Sequence, residues 1–404
     1  MSIRYVPDWW RPIQTRQGAL LRMARAASFG PPISRQLVRQ VCSSVTANNC
    51  HGEIPYSDFE PTFQGLASMR AYELNGANGL ASVSLTERPE PTALRGQILI
   101  EMKAWSLNYR DLLIINDNYN GLRPKGALAL SDGVGEVISV GPDVTRFKVG
   151  DRVSPTFSST WIAGPMTAAD PPKFRGALVD GVLAERIACD EQHAVRVPDY
   201  LSDAQAATLP CAALTAFNAL FGPRPLVSGE TVLTLGTGGV SSFAIQLAAK
   251  AGARVISTSS SDTKLEEARK LGATDLINYR KHPEWQQEVL RLTNGRGVDH
   301  VVEVGGGGTI ERSVASVAIG GQVHMIGALS TGTLSPRTLV PWKTLRGIMV
   351  GSRADHEAMN RMMAYHQIRP VIGKVFAFDD ALGAYGCLEE AAHTGKIVIE
   401  RSLT

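Results

Sequence analysis

A glycine-rich segment follows the apolar residues 232–235 and consists of Gly236, Thr237, Gly238, Gly239 and Val240. A helix is predicted directly after it, over residues 241–251. A turn of this kind between a strand and a helix lets backbone N–H groups approach a pyrophosphate at the positive end of the helix dipole. The turn lies inside repeated strand–helix units, which favours a dinucleotide-binding turn over a purely structural one. Ser241 stands where a final glycine is usual, and it is small enough for close packing.

The polar residues after the next strand bear on which dinucleotide would bind. A site for NAD usually carries an acid about 20 residues beyond the glycine turn, which binds the ribose 2′-hydroxyl. Here the expected strand tip holds the neutral Ser259 and Ser260, and Lys264 follows. Hydroxyls and an ammonium group could donate hydrogen bonds to a 2′-phosphate. Asp262 is offset along the chain, where we expect it, or Ser261 before it, to cap a helix. The prediction is NADP(H).

The size and composition of the chain predict the number of domains and narrow the class of partner and the cellular compartment. Its 404 residues predict about two domains. A net charge of +3 does not favour a nucleic-acid partner, and no apolar run approaches the roughly 20 residues of a membrane span. The cysteines are scattered without a CxxC pair, which indicates a reducing compartment with free thiols; they are Cys42, Cys50, Cys189, Cys211 and Cys387. We therefore expect a cytoplasmic protein with a small-molecule substrate.

Two sequence textures predict an α/β protein. Short strands and glycine turns fill residues 69–197, as in a curved β domain. Strands alternate with helices further on and predict a doubly wound parallel sheet; the strands are expected at 232–235, 254–258, 275–279, 298–304, 322–326 and 347–350. We expect a catalytic domain at 67–200, a dinucleotide-binding domain at 201–350 and a return to the catalytic domain at 351–404.

Residues 1–66 form an extension of different composition. Between Met1 and Gly52 there are seven arginines, no lysine and a single acid, Asp8. An Arg-rich, acid-poor amphipathic start is typical of a mitochondrial presequence, which would make the protein mitochondrial instead of cytoplasmic. The alternatives are an unstructured lead-in or an imperfect gene start.

With these elements in order, residues 69–404 resemble the medium-chain dehydrogenase/reductase superfamily. The segment Leu107-Asn-Tyr-Arg-Asp is similar to a motif of its zinc-free quinone reductases and enoyl reductase domains. Val149-Gly-Asp-Arg-Val, Leu209-Pro-Cys-Ala-Ala-Leu-Thr-Ala and Ile277-Asn-Tyr-Arg match further family segments. The resemblance implies a GroES-like β domain joined to a Rossmann domain, and a homodimer formed at the sheet edge near residues 347–350.

The resemblance also implies roles for individual residues. Thr215 would lie against the nicotinamide, and Asn108 would be an active-site asparagine. Lys264 and Tyr279 would hold the adenosine 2′-phosphate. Three strand-end positions would border the cofactor, namely Val304, Gly305 and Gly327.

The zinc ligands of alcohol dehydrogenases are largely missing. A catalytic zinc needs three protein ligands. At the matching positions stand Asn108, Ser131 and Cys211, so only the cysteine remains. The four clustered cysteines of a structural zinc lobe are also missing, because only Cys189 lies between residues 151 and 210. We predict a protein without zinc and a buried, unreactive Cys211.

Hydride transfer without a metal needs hydrogen-bond donors for the charge that develops on the acceptor oxygen. Asn108 and Tyr109 could donate, and Asp111 with Arg110 could orient them; Tyr119 is a further donor. The alternatives are a structural ion pair for Arg110 and Asp111, and core packing for Tyr109. The leading hypothesis is NADPH-dependent reduction of a quinone, conjugated enone or related carbonyl. The others are oxidation of a secondary alcohol, and a non-catalytic cofactor-binding protein that senses redox state.

Overall fold

The computed structural model describes residues 67–119, 125–167, 173–327, 330–340, 342–391 and 393–401. The extension predicted at 1–66 lies outside these ranges. The presequence interpretation and its two alternatives therefore stay predictions. The description below concerns the compact unit that follows Thr62.

The first part of this unit is built mainly from strands. Its strands are β1 (Ser68–Leu74), β2 (Val83–Pro89), β3 (Gln97–Ser106), β4 (Asp132–Val140), β5 (Arg152–Pro155), β6 (Arg186–Asp190) and β7 (Ala194–Arg196). Its helices are α1 (Tyr109–Ile115) and, after the last strand, α2 (Asp203–Ala206), a π turn at Leu209–Ala213 and α3 (Leu214–Phe221). Strands β1 and β2 form a separate antiparallel pair.

Strands and helices then alternate. The strands are β8 (Thr231–Leu235), β9 (Arg254–Ser259), β10 (Asp275–Asn278), β11 (Val298–Glu303), β12 (Val317–Met325) and β13 (Thr344–Gly347). The helices between them are α4 (Gly239–Lys250), α5 (Asp262–Lys270), α6 (Trp285–Leu292) and α7 (Ile310–Ser316). The sheet order is β10-β9-β8-β11-β12-β13 and every pairing is parallel. This confirms the predicted doubly wound sheet, whose strand order reverses between β8 and β11, where such sheets bind ligands.

The end of the chain returns to the first sheet. It comprises α8 (Arg353–His366), β14 (Ile372–Ala377), α9 (Ala381–Glu389) and β15 (Lys396–Glu400). Strand β15 pairs antiparallel with β3, so the sheet order is β14-β15-β3-β4-β5-β7, with β6 also on β3. One apolar cluster spans both sheets, because Val398 of β15 and Phe243 of α4 belong to it. The GroES-like plus Rossmann fold class is confirmed, while the residue limits of the domains stay a prediction.

Several predicted boundaries differ from the structure; among them, β12 covers Val317–Met325 instead of residues 322–326. Helix α4 begins at Gly239 instead of residue 241, because Gly238 already takes the extended N-cap conformation. The sixth strand covers Thr344–Gly347 instead of residues 347–350. The apolar side chains of Ile348 and Val350 favoured the later position, but Val350 has a φ of +43° and leaves the extended region.

One helical stretch in the described part of the chain has the length and composition to cross a membrane, whereas the sequence had predicted none. It is Asp203–Phe221, and 78% of its most apolar window is buried inside the fold. Its alanines and leucines pack into the apolar cluster that joins the two sheets.

Candidate active site

The glycine turn between β8 and α4 leaves open space where a dinucleotide would lie. Gly236 has a φ of +69°, which side chains rarely adopt, and no atom lies within 4 Å of the Cβ positions of Gly236 and Gly238. The first turn of α4 carries no acid. The Ser241 hydroxyl donates to the Leu235 carbonyl at 2.7 Å and so closes the turn beneath. Thr237 and Val240 are half-buried at the same turn. The arrangement fits a pyrophosphate at a helix N-terminus.

The predicted 2′-phosphate residues meet at the tips of β9 and β10. The backbone N–H of Tyr279 donates to the Ser259 carbonyl at 3.0 Å, so these two residues are neighbours. Ser259 is the last residue of β9, Ser260 follows it, and Lys264 lies in the first turn of α5. The Tyr279 side chain is exposed. The groups near these tips therefore include the hydroxyls of Ser260 and Tyr279 and the Lys264 ammonium, while Ser259 itself is buried.

Asp262 does not cap its helix, contrary to one of the two sequence predictions. Ser261 occupies the N-cap position, and the Asp262 carboxylate accepts from Asn278 Nδ2 and Lys281 Nζ, both at 2.6 Å. Those hydrogen bonds hold the pKa of Asp262 below its usual range. The carboxylate remains charged, but the Lys281 ammonium offsets its repulsion of a neighbouring anion.

The loops after β11 and β12 touch through the three predicted strand-end residues. The Cβ position of Gly327 lies 1.8 Å from the Val304 carbonyl oxygen, so only glycine fits there. Just before them, the buried Glu303 carboxylate accepts from the N–H groups of Gly305 at 2.7 Å and Gly306 at 3.0 Å. It also accepts from two hydroxyls of the following helix, those of Thr309 and Ser313. Sequence reasoning did not identify Glu303; its signal was an acid that ends an apolar strand before four glycines.

Thr215 is buried on α3, two residues beyond the end of the π turn at Leu209–Ala213. The turn is tied to the catalytic sheet, because the Cys211 N–H donates to Asp132 Oδ2 at 3.1 Å. The other carboxylate oxygen of Asp132 accepts from the Ser131 hydroxyl at 2.7 Å. Burial raises the pKa of Asp132, and the Lys396 charge opposes that shift.

Asn108 occupies the N-cap position of α1, next to the buried polar cluster formed by Asp132, Ser131 and Lys396. Its backbone N–H donates to Asp111 Oδ2 at 2.7 Å, so Asp111 fixes the start of the helix. Burial raises the pKa of Asp111 to about 6, against the lowering effect of the Arg110 charge. The Tyr109 side chain is 48% exposed, which does not support core packing as its role.

Arg110 is buried between two aromatic rings. Its guanidinium carbon lies 5.1 Å from the Tyr119 ring centre and 4.7 Å from that of Phe157. Nη1 donates to the Arg175 carbonyl at 3.0 Å and lies 3.8 Å from Asp111 Oδ1. Rings and a nearby carboxylate stabilise a buried guanidinium in this way.

Lys396, which sequence reasoning missed, completes the cluster. Its ammonium donates to the Leu107 carbonyl and to Asn108 Oδ1, each at 2.5 Å. Its Cδ lies 2.8 Å from the Cβ position of Gly239, so the same side chain underlies the first residue of α4. The sequence signal was a lysine that opens the apolar run Ile397-Val-Ile.

The donors at the positions of the family zinc site do not fit that ion. Asn108 offers an amide oxygen already bound by an ammonium group, Ser131 offers a hydroxyl, and a zinc dication would lie beside the positive charge of Lys396. Cys211 is half-buried instead of fully buried as predicted, but desolvation still raises the pKa of its thiol and disfavours the thiolate that binds zinc. Across the described ranges, no three His, Cys, Asp or Glu side chains are grouped to hold a metal.

Together, the doubly wound sheet, the glycine turn and the polar cluster beside it define an oxidoreductase that binds a nicotinamide dinucleotide. Two family profiles match the chain: the alcohol dehydrogenase GroES-like domain over residues 94–199 and the zinc-binding dehydrogenase domain over residues 239–365. A zinc-type alcohol dehydrogenase-like protein of Schizosaccharomyces pombe is 42% identical over 314 residues, which cover 76% of this chain and 91% of that protein. The chain belongs to the medium-chain dehydrogenase/reductase superfamily.

Solved structures agree with this assignment. A Sinorhizobium meliloti protein named as an alcohol dehydrogenase is 36% identical with a TM-score of 0.77, over 82% of this chain and 98% of that one. An NAD-dependent alcohol dehydrogenase is 29% identical with a TM-score of 0.77, over 83% and 100%. A mycobacterial quinone oxidoreductase is 26% identical with a TM-score of 0.69, over 82% and 99%.

Proposed function

We propose that the protein uses NADPH to reduce a quinone, a conjugated enone or a related carbonyl, without zinc. The observation that carries the proposal is the position of Lys396, which lies under the first residue of α4 and also binds Asn108. A single side chain thus joins the cofactor turn to a hydrogen-bonding amide. In the reaction, NADPH, one proton and the acceptor give NADP⁺ and the acceptor reduced by two electrons.

When bound, the nicotinamide supplies the hydride; the chain supplies binding, orientation and charge. Asn108 Nδ2 is a buried donor that makes no close hydrogen bond among the described residues and faces the Asp132 carboxylate, so its N–H groups are suited to bind the acceptor oxygen as negative charge develops there. Tyr109 offers an exposed phenol on the same helix. Asp111 holds the backbone of Asn108, and water supplies the proton.

The preference for NADPH rests on the tips of β9 and β10. Ser259 and Ser260 provide neutral hydroxyls there, and Lys264 provides a positive charge in the first turn of α5. Asp262 is the nearest acid along the chain, and Lys281 offsets its charge. These donors can therefore form charge-assisted hydrogen bonds with the 2′-phosphate of NADPH. The neutral 2′-hydroxyl of NADH offers no such charge.

Steady-state oxidation of NADPH, followed at several acceptor concentrations, tests the proposal. The panel contains 1,4-benzoquinone, a naphthoquinone, a conjugated enone and an aliphatic aldehyde. We expect turnover with quinones or enones that is faster with NADPH than with NADH. Cofactor binding without turnover of any acceptor would instead indicate a non-catalytic, redox-sensing protein.

Oxidation of a secondary alcohol is the second candidate, because relatives of this chain carry alcohol dehydrogenase names. The same site could stabilise an alkoxide with Asn108 Nδ2 and the nearby Lys396 charge. Reduction of NADP⁺ by a series of secondary alcohols at alkaline pH separates the two candidates. Faster alcohol oxidation than quinone reduction would replace the leading proposal.

A homodimer through the free edge of the parallel sheet is part of the proposal. Strand β13 is the last strand at this edge, and large apolar side chains beside it are exposed; they include Ile319 at 72%, Val340 at 74% and Trp342 at 80%. Light scattering should give a dimer for the wild type and a monomer for Trp342→Glu. A monomeric wild type would exclude this interface.

We place the protein in the cytoplasm, or in mitochondria if residues 1–66 direct import. A fluorescent fusion of those 66 residues, compared with a fusion of residues 67–404, decides between the two locations.

A further inference from the structure

Lys396 is placed by the longest-range strand pairing of the catalytic sheet. It is the first residue of β15, whose Val398 pairs with Ser106 of β3. The Leu107 N–H donates to the Ile397 carbonyl at 3.1 Å and continues the pairing up to the start of α1. The strand register therefore delivers the lysine side chain to Asn108.

The hydrogen bond from Lys396 determines how the Asn108 amide is turned. An ammonium group has donors and no acceptor, so the atom of Asn108 that faces it must be the amide oxygen. The amide nitrogen, Nδ2, then points away from the lysine. It is buried and makes no close hydrogen bond in the described part of the chain, although its interaction with the Asp132 carboxylate lowers the pKa of that group. A buried donor left unpaired costs free energy, and a ligand oxygen would remove that cost.

The Lys396 ammonium lies near the carboxylates of Asp132 and Asp111, and its side chain lies under the glycine turn. Burial lowers the pKa of Lys396, whereas the neighbouring carboxylates of Asp132 and Asp111 raise it. Its methylene carbons fill the space that a side chain at position 239 would need. The ammonium is thus held from two sides and has little freedom to turn away from Asn108.

We propose that Lys396 is a positioning residue, whose ammonium orients the Asn108 amide so that Nδ2 donates to the acceptor oxygen of the substrate. This inference rests on the proposed reduction and adds to it the group that fixes the donor. In this arrangement, the positive charge near the reacting oxygen is that of the Lys396 ammonium. A purely structural lysine would stabilise the sheet without acting through Asn108.

A double-mutant cycle separates these roles, with 1,4-benzoquinone as acceptor and saturating NADPH. The loss of an oxyanion donor costs on the order of 100-fold in kcat, which we expect for Asn108→Ala. Lys396→Met should lower kcat by about 10- to 100-fold, and Lys396→Arg, which keeps the charge and the donors, should recover part of it. In the Asn108→Ala background, Lys396→Met should have less than about a twofold further effect. Equal losses in both backgrounds would overturn the proposal.

The matched control is Lys103→Met on β3, whose ammonium contacts Glu101 and not the cleft. It should leave kcat and the NADPH dissociation constant unchanged. Far-ultraviolet circular dichroism shows whether each variant is folded. If Lys396→Met fails to fold, Lys396→Arg and Lys396→Gln replace it, and loss of kcat only in the glutamine variant supports the proposal.

A second measurement does not depend on turnover. In protein labelled with ¹⁵N-asparagine, the Asn108 side-chain resonance is identified by its disappearance in Asn108→Ala. It should shift in Lys396→Met and stay close to its wild-type position in Lys396→Arg and Lys103→Met. An unmoved resonance in Lys396→Met would show that the lysine does not orient the amide. If the wild type reduces no acceptor, the proposed function fails, and this spectrum still decides whether the orienting contact exists.

Discussion

The Cβ position of Gly327 lies 1.8 Å from the carbonyl oxygen of Val304. Because no side chain fits in that distance, the loops after β11 and β12 can meet only through a glycine. These loops follow the carboxyl ends of β11 and β12, beside the point where the strand order reverses. We therefore expect the distance between the two loops to determine the shape of one wall of the predicted nicotinamide site.

Gly327→Ala should separate these loops. The added methyl group meets a backbone carbonyl, and overpacking of this kind costs typically about 1–3 kcal/mol. We expect lower unfolding stability in urea and weaker NADPH binding. Gly386→Ala is the control, since no atom lies within 4 Å of its Cβ position in α9 and alanine favours a helix. Unchanged cofactor affinity in Gly327→Ala would remove these loops from the binding site.

Lys264→Ala should weaken NADPH binding much more than NADH binding. A charge-assisted hydrogen bond contributes about 1.5–3 kcal/mol, so its loss should raise the NADPH dissociation constant roughly 10- to 100-fold. NADH lacks the phosphate and should bind almost as before. Lys270→Ala, at the far end of the same helix and paired with Glu267, should change neither constant. Equal weakening of both cofactors would mean that Lys264 has only a structural role.

Asn108→Ala and Tyr109→Phe should slow turnover and spare cofactor binding. Both residues lie at the start of α1 in the catalytic domain, and Asn108 is joined to the glycine turn only through the Lys396 side chain. The expected loss for a true oxyanion donor is on the order of 100-fold in kcat. If both variants keep kcat within about twofold of wild type with a quinone, the assignment of donors is wrong.

Asp111 should make stability depend on pH between about 4 and 6. Its pKa is about 6 in the folded protein against the ordinary value of 3.8, so the folded state holds the proton more tightly. Stability from this group is therefore greatest below the unfolded pKa and is lost as pH rises through 6, by up to about 3 kcal/mol. Unfolding of wild type and Asp111→Asn in urea at several pH values measures the difference, with Asp132→Asn controlling for the neighbouring carboxyl. A pH-independent difference would contradict it.

The purified protein should contain no stoichiometric zinc, and chelation should not lower its activity. Asn108 and Ser131 are poor zinc ligands, and the Lys396 ammonium repels a second cation nearby. Elemental analysis before and after treatment with a chelator tests this. One zinc per chain would point to Cys211 and Asp132 as ligands.

Local patterns predicted the parallel sheet and the glycine turn. Buried parallel strands are continuous apolar runs, and the turn before α4 has no close side-chain neighbour at Gly236 or Gly238, so the sequence around each feature suffices. The edge strand β13 is less evident, because its leucine and threonine are exposed and it is paired on one side only.

The lysine in the site could not be predicted in the same way. Lys396 reaches Asn108 only because β15 pairs with β3, and 288 positions separate the two residues. No local period encodes that pairing. Likewise, the four hydrogen bonds of Glu303 come from residues that follow it in an irregular loop and a new helix.

The late position of β15 has a consequence for synthesis on the ribosome. The strands of the parallel sheet lie within residues 231–347 and can pair as soon as that stretch has emerged. Strand β3 must wait for residues 396–400, which are translated long after it, before it gains this neighbour. A nascent chain can therefore complete its parallel sheet while the catalytic sheet still lacks β15, and any chain truncated before Lys396 lacks the ammonium group that contacts Asn108.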